Sequence, residues 1–133
     1  MTLKKNELGA TGEEIAVRYL KSLGYRIIAR NYRVRLGEID IIAEQGRDLV
    51  FVEVKTRSDA LFGSPFESVT LPKQKKLSKV ALEYLSKQGF YNRPARFDVV
   101  GVRLKTANAR HLRDATVELV QNAFDLCYGN GET

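Results

Sequence analysis

The run Phe51-Val52-Glu53-Val54-Lys55-Thr56 has the composition of a buried strand, yet it carries a carboxylate and an ammonium one residue apart. Strand side chains alternate between faces, so Leu49, Phe51, Glu53 and Lys55 share one side and Val50, Val52 and Val54 take the other. An ionised group buried without a partner costs several kcal/mol or more, so Glu53 and Lys55 must pair, coordinate something or open onto a cleft. A second acid, Asp40, sits in another apolar run, Glu38-Ile39-Asp40-Ile41-Ile42. Neighbouring antiparallel strands can bring Asp40 beside Glu53. Two carboxylates held together repel unless a proton or cation lies between them, and such oxygen donors suit Mg²⁺ or Mn²⁺. The plainer alternative is that Glu53 pairs with Lys55, while Asp40 caps a turn or pairs with an arginine.

Two helical residues join this set by spacing. Ala16 and Leu20 lie at i+3 and i+7 from Glu13, which places Glu13 on an apolar stripe, whereas Glu14 can pair with Arg18 at i,i+4 in solvent. The competing reading of Glu13 is an acid complementing the dipole in the first turns of a helix. Leu77 and Ala81 stand in the same relation to Gln74, so its amide is expected to face inward near the start of a second helix. Lys73, Lys75, Lys76 and Lys79 then spread around the more exposed sides. There they are either a solvated face or phosphate contacts beside the acids.

These residues need a sheet and two helices to position them. Glu7 to Leu23 has a helical apolar period stopped by Gly24, and Tyr25 to Ala29 is a short strand candidate. The polar stretch Arg30 to Arg35 leads to a turn at Leu36-Gly37. Glu38 to Ala43 and Leu49 to Thr56 are strands whose short connection predicts an antiparallel hairpin. Residues 57 to 69 include Gly63 and Pro65 without a period, and a loop of that length is often functional. A helix is predicted from Thr70–Pro72 to Lys87, ended by Gly89, followed by strands at Phe97–Val102 and Val117–Val120. The polar stretch Lys105 to Ala115 separates those strands, and Gly129 to Thr133 is expected to fray. The order αβββαβ plus a last strand predicts an α/β fold with one central mixed sheet flanked by helices.

Composition limits the alternatives. The 133 residues fit a single domain spanning 1–133, with its core at about 7–126. No apolar stretch approaches the ~20 residues of a membrane span, and no apolar signal core follows the basic start, so a cytoplasmic location and no membrane contact are expected. Net charge is +6, and basic residues gather at Arg30, Arg33 and Arg35, at Lys55 and Arg57, and along Lys73 to Lys79. Cys127 cannot form an internal disulfide, and His111, the one histidine, lies in a polar segment and reads as a surface residue. Asp98 reads as the structural partner of a loop arginine.

Asp40, then Glu53-Val54-Lys55, then Gln74 near a helix start, with Glu13 upstream, resembles the PD-(D/E)xK nuclease superfamily, within it the archaeal Holliday-junction resolvases and RecB-type nucleases. Gly12-Glu13, Gly24-Tyr25, Asn31-Tyr32-Arg33, Gly37 to Ile42, Phe51 to Arg57, Lys73-Gln74 and Arg96 to Val100 look more closely like the bacterial YraN family. The resemblance covers roughly residues 9 to 126. It implies a restriction-endonuclease-like fold and a metal-dependent endonuclease that cuts nucleic acid, DNA before RNA, with branched or damaged DNA among the candidate substrates. By position it also implies that Asp40, Glu53, the Val54 carbonyl and Glu13 ligate Mg²⁺ or Mn²⁺. Lys55 would orient or help deprotonate the attacking water, and Gln74 would assist. Two positions depart from the pattern: Ile39 stands where the signature has proline, and Ser78 where the RecB pattern has tyrosine. Arg33, Arg35, Arg57, Lys73, Lys75 and Lys76 are the expected nucleic-acid contacts, and resolvase-like nucleases often act as homodimers. The rival reading is a nucleic-acid-binding module that keeps the fold with little or no catalysis.

Overall fold

Amphipathic runs on two helices and alternating runs on five strands resolve into two apolar layers, one on each side of a sheet. The computed structural model describes residues 5–57, 69–90, 92–104 and 115–126. His111, Cys127, most of the 57–69 loop with Gly63 and Pro65, nearly all of the Lys105–Ala115 stretch and the Gly129–Thr133 tail lie outside them. The elements run α1 (Lys5–Ser22), β1 (Arg26–Val34), β2 (Gly37–Gln45), β3 (Asp48–Arg57), α2 (Leu71–Gln88), β4 (Ala95–Leu104) and β5 (Ala115–Phe124). The strands form a single mixed sheet in the order β1-β2-β3-β4-β5, and the chain is one α/β domain. Among the described strands only β3 and β4 pair in parallel, and α2 is the crossover that this pairing requires. Among the described residues no helix is long and apolar enough to cross a membrane.

Strand alternation sorts the core. Ile15, Ala16, Val17 and Leu20 of α1 pack on Ile41, Ala43, Val50, Val52, Val100 and Val102. On the opposite face Leu77, Val80, Ala81 and Tyr84 of α2 pack on Ile42, Leu49, Phe51, Phe97 and Val99. Edge-on contacts of the Tyr84 ring with Tyr32 and Phe51, at centroid distances of 5.2 and 5.9 Å, continue the second layer toward the edge strand. Pro72 in the first turn of α2 and Gly89 at its C-cap, with φ 72°, bound that helix.

Strand β1 is longer than its apolar residues suggest. The polar stretch from Arg30 to Val34 continues the ladder, with Arg30 opposite Ile41, Tyr32 opposite Ile39 and Arg33 opposite Glu38. An edge strand tolerates charge on its open side, so alternation there is between exposed and half-buried positions and carries no apolar run to read. β4 and β5 likewise outrun their apolar centres.

Gly12 fixes how closely α1 approaches the sheet. A methyl group built on it would stand within 2.8 Å of Thr56 Cβ, one residue beyond Lys55. Gly12→Ala is therefore expected to push α1 off the strand end and destabilise the fold by about 2 kcal/mol. Thermal unfolding checks this, with Gly9→Ala, whose added methyl meets nothing within 4 Å, as the comparison. An unchanged midpoint for Gly12→Ala would show that the helix can shift freely.

Candidate metal and nucleic-acid site

The β2–β3 hairpin carries the two acids because its ladder ends beside them. Recorded pairs run from Gln45–Asp48 to Ile41–Val52, and the next position in register would set Asp40 against Glu53. There Asp40 Oδ2 accepts a hydrogen bond from the Val54 backbone N–H at 2.8 Å, so a side chain holds an amide next to where the ladder stops. Both carboxylates point to the face that α2 covers, into a cleft of about 260 Å³ whose lining includes Leu36, Glu38, Asp40, Glu53, Lys73 and Lys76.

The electrostatics of this pair are uneven. Glu53 is buried, and its Oε2 receives the Lys55 ammonium at 3.2 Å and the Lys73 ammonium at 3.7 Å. Among the described residues no ammonium forms an ion pair with Asp40, although the Lys73 charge feels it. Burial and the neighbouring Glu53 charge push its carboxyl up to about 8, with Glu13 and Glu38 adding to the rise and the Val54 N–H opposing it. The Lys55 ammonium beside it, then burial, lower the proton affinity of Lys73. Two ammonium groups thus share one carboxylate oxygen, and one of them holds its proton less firmly than an ordinary lysine.

Glu13 approaches from α1, on the other face of the sheet. Burial raises its carboxyl pKa, with the Glu38 and Glu53 charges adding and Arg30 and Asn31 countering. Asn31, at φ 53°, lies between the Arg30–Ile41 and Tyr32–Ile39 pairs and so opposite Asp40. With its amide turned to donate, it reaches Glu38 Oε2 at 3.2 Å and Glu13 Oε1 at 3.1 Å. Glu13 therefore joins the electrostatic neighbourhood of Asp40 and Glu53. Among the described residues, however, no group of three or more His, Cys, Asp or Glu side chains is placed to hold a metal ion. Two adjacent carboxylates, one with no ammonium partner, are still a donor set that a hard divalent cation satisfies, since Mg²⁺ commonly takes one or two carboxylates and fills its shell with water and phosphate oxygens.

The other expected site residues divide. Gln74 does not meet the acids: its Nε2 donates to the Val69 carbonyl at 3.0 Å, because the amide is captured by the chain entering α2. Lys73, expected on an exposed side as a phosphate contact, is instead the α2 residue at Glu53. Lys76 lines the cleft, while Lys75 is exposed. Arg33 pairs with Glu38 at 3.3 Å near the β1–β2 turn, and Arg35 is exposed in that turn. Arg57 lines a separate pocket beyond Lys55. Asn31, Glu38 and Lys73 are the residues missed as members of the acid cluster. Glu38 shares the Asp40 face by alternation, and Val80 at i+7 marks Lys73 as much as Ala81 marks Gln74.

Asp98 belongs elsewhere. It is fully buried near the other end of the sheet, where Arg96 of its own strand donates from Nε at 2.9 Å, Tyr25 Oη donates at 2.7 Å and the Asn122 N–H at 2.9 Å. Its cation is thus a strand neighbour at i−2, not a loop arginine. Arg96 also reaches Asp48 and Gln45, tying the β2–β3 turn to β4.

The sequence profile of "Uncharacterised protein family UPF0102" matches residues 12–102, from the close-packed Gly12 through both acids to β4. The chain belongs to this family. UPF0102 is the YraN family whose motifs the sequence resembles. A UPF0102 protein of Caldicellulosiruptor saccharolyticus is 46% identical over 122 residues, covering 92% of this chain and 100% of the relative. A UPF0102 protein of Moorella thermoacetica is 47% identical over 124 residues, covering 93% and 100%. The UPF0102 chain also overlaps the solved structure of Pyrococcus furiosus SfsA in complex with Ca²⁺, at 16% identity and a TM-score of 0.35, covering 85% of this chain and 61% of that one. At that score the overlap is too loose to carry an argument.

Proposed function

We propose that this UPF0102 protein is a metal-dependent endonuclease of the PD-(D/E)xK superfamily that hydrolyses phosphodiester bonds in nucleic acid, DNA before RNA, in the cytoplasm. The observation that carries the reading is the Asp40–Glu53 pair at the end of the β2–β3 ladder, where among the described residues Lys55 and Lys73 converge on Glu53 and none pairs with Asp40. A structural ion pair needs one cation for one acid and gives no reason to bury a second acid beside it. Asp40 and Glu53 would hold Mg²⁺ or Mn²⁺, with Glu13 at the edge of the set and the Val54 carbonyl as a further oxygen donor. Such an ion, when bound, supplies Lewis-acid polarisation of a phosphoryl oxygen and a lowered pKa for water.

The remaining steps belong to the chain's own groups. Lys55 Nζ, held by Glu53, orients a water against the phosphate and offers a positive charge to the transition state. Lys73, whose ammonium also reaches Glu53 Oε2, adds a second positive charge beside the phosphate. Lys76, Arg33 and Arg35 supply backbone phosphate contacts around the cleft, with Lys75 further out on α2.

The experiment is incubation of the purified protein with linear, nicked and four-way-junction DNA and with RNA, with and without Mn²⁺, alongside calorimetric titration of Mn²⁺. Cleavage that needs the ion, together with measurable ion binding, is the expected result. No ion affinity would overturn the reading. One observation favours the alternative, a binding module with the same fold: the ammonium groups already occupy Glu53, and no three-donor cluster stands among the described residues. That alternative expects salt-dependent DNA binding that Mn²⁺ leaves unchanged.

A further inference from the structure

Beyond Lys55, the α2-side face of the sheet continues past the residues that α2 covers. The register places Lys55 beside Gly101 and Arg57 beside Arg103 across β3–β4, then Gly101 beside Glu118 and Arg103 beside Thr116 across β4–β5. These six side positions share one face by alternation, and they line a pocket of about 40 Å³. Gly101 leaves the middle of this patch without a side chain, which opens space between Lys55 and Glu118. Among the described residues the lining brings together Lys55, Arg57 and Arg103 with one acid, Glu118. A volume of that size holds a few waters' worth of oxygen atoms, which fits a phosphate group and excludes a nucleobase.

We infer that this pocket holds a backbone phosphate of the polynucleotide next to the one presented to Asp40 and Glu53, so that the strand crosses the sheet from Lys73 and Lys76, over Lys55, to Arg57 and Arg103. The inference rests on the nucleic-acid reading above and adds the path of the strand and a subsite on β4 and β5. Contact there is to phosphate alone, so it contributes affinity without sequence preference. Glu118 opposes the anion and sets a ceiling on that affinity.

The test is fluorescence anisotropy with labelled single-stranded and duplex DNA of two unrelated sequences, in EDTA, across a salt series. Arg103→Gln is expected to weaken binding about threefold to tenfold, equally for both sequences, and to reduce the salt slope by about one contact. Glu118→Gln, at an exposed position, is expected to tighten binding about twofold to threefold by removing the opposing charge. The opposite signs matter, since a variant that merely damaged the fold would not tighten anything. Unchanged or weaker binding by Glu118→Gln, or sequence-dependent loss in Arg103→Gln, would overturn the pocket. Because the assay is free of metal, its outcome is separate from hydrolysis. Both binding shifts without any cleavage would sink the nuclease reading and leave the pocket, and cleavage without either shift would do the reverse.

Discussion

Asp40→Asn is expected to abolish metal-dependent cleavage, by about a thousandfold or more, while making the metal-free protein more stable at alkaline pH. The Asp40 carboxyl, raised by burial and by Glu53 from 3.8 to about 8, keeps its proton in the folded chain over a range where the unfolded chain has released it. Folded protein then binds more protons than unfolded, so the wild type loses stability as pH rises from about 4 to about 8 and levels off above. Asparagine removes the titration and keeps an oxygen for the Val54 N–H, while its amide can donate to Glu53. The gain over wild type should therefore be a few kcal/mol at pH 8, with about 5 kcal/mol as the ceiling set by that shift, and fade towards pH 4. Urea unfolding in EDTA at the two pH values, beside a cleavage assay, reads both effects. An Asp40→Asn protein that is less stable than wild type at pH 8 would mean that Asp40 is a structural cap, and the metal site would lose its strongest support. A gain in stability on losing a residue marks a group kept for function at the expense of the fold.

Asp98→Ala should have the largest effect on folding, a loss of about 3–5 kcal/mol. Removing the carboxylate strands the Tyr25 hydroxyl and the Asn122 N–H and takes from Arg96 a fully buried counterion. Breaking a buried pair from one side leaves an uncompensated charge, which costs more than the pair was worth. Arg96 retains Asp48, so Asp98→Asn, which preserves hydrogen-bonding capacity, should cost about 1–2 kcal/mol. Denaturant midpoints decide it. A loss below about 1 kcal/mol for Asp98→Ala would show that Asp48 and solvent compensate fully. Cleavage by the folded fraction of either variant should be retained, because this network and the Asp40–Glu53 pair sit on opposite faces of the sheet.

The hairpin, the two helices and the order of elements were legible because each has an apolar period that only one structure satisfies. Asp40 and Glu53 could be brought together on paper for a related reason: an acid inside an apolar strand has few places to go, and a short hairpin fixes its neighbour. Lys73 and Gln74 show where that logic weakens. Both flank the apolar stripe of α2, Lys73 through Leu77 and Val80 and Gln74 through Leu77 and Ala81, so helical spacing cannot rank them. What separates them is reach and local competition: a lysine spans the cleft to Glu53, and a shorter amide is taken by the Val69 carbonyl. Arg96 and Asp98 stand in the same i,i+2 relation as Glu53 and Lys55, a spacing that marks the strand arginine ahead of any loop arginine. The length of β1 was hidden by chemistry, since an edge strand with a charged open side has the composition of a loop.

The bond from the Val54 N–H to Asp40 has a spectroscopic consequence. Most sheet amides see only other backbone groups, whose charge never changes, but this one looks directly at a carboxylate that changes state. Its nitrogen and proton resonances should therefore move with the ionisation of Asp40, and with any cation that settles on it. The protein thus carries a reporter of its own site in a backbone amide that needs no label beyond nitrogen-15.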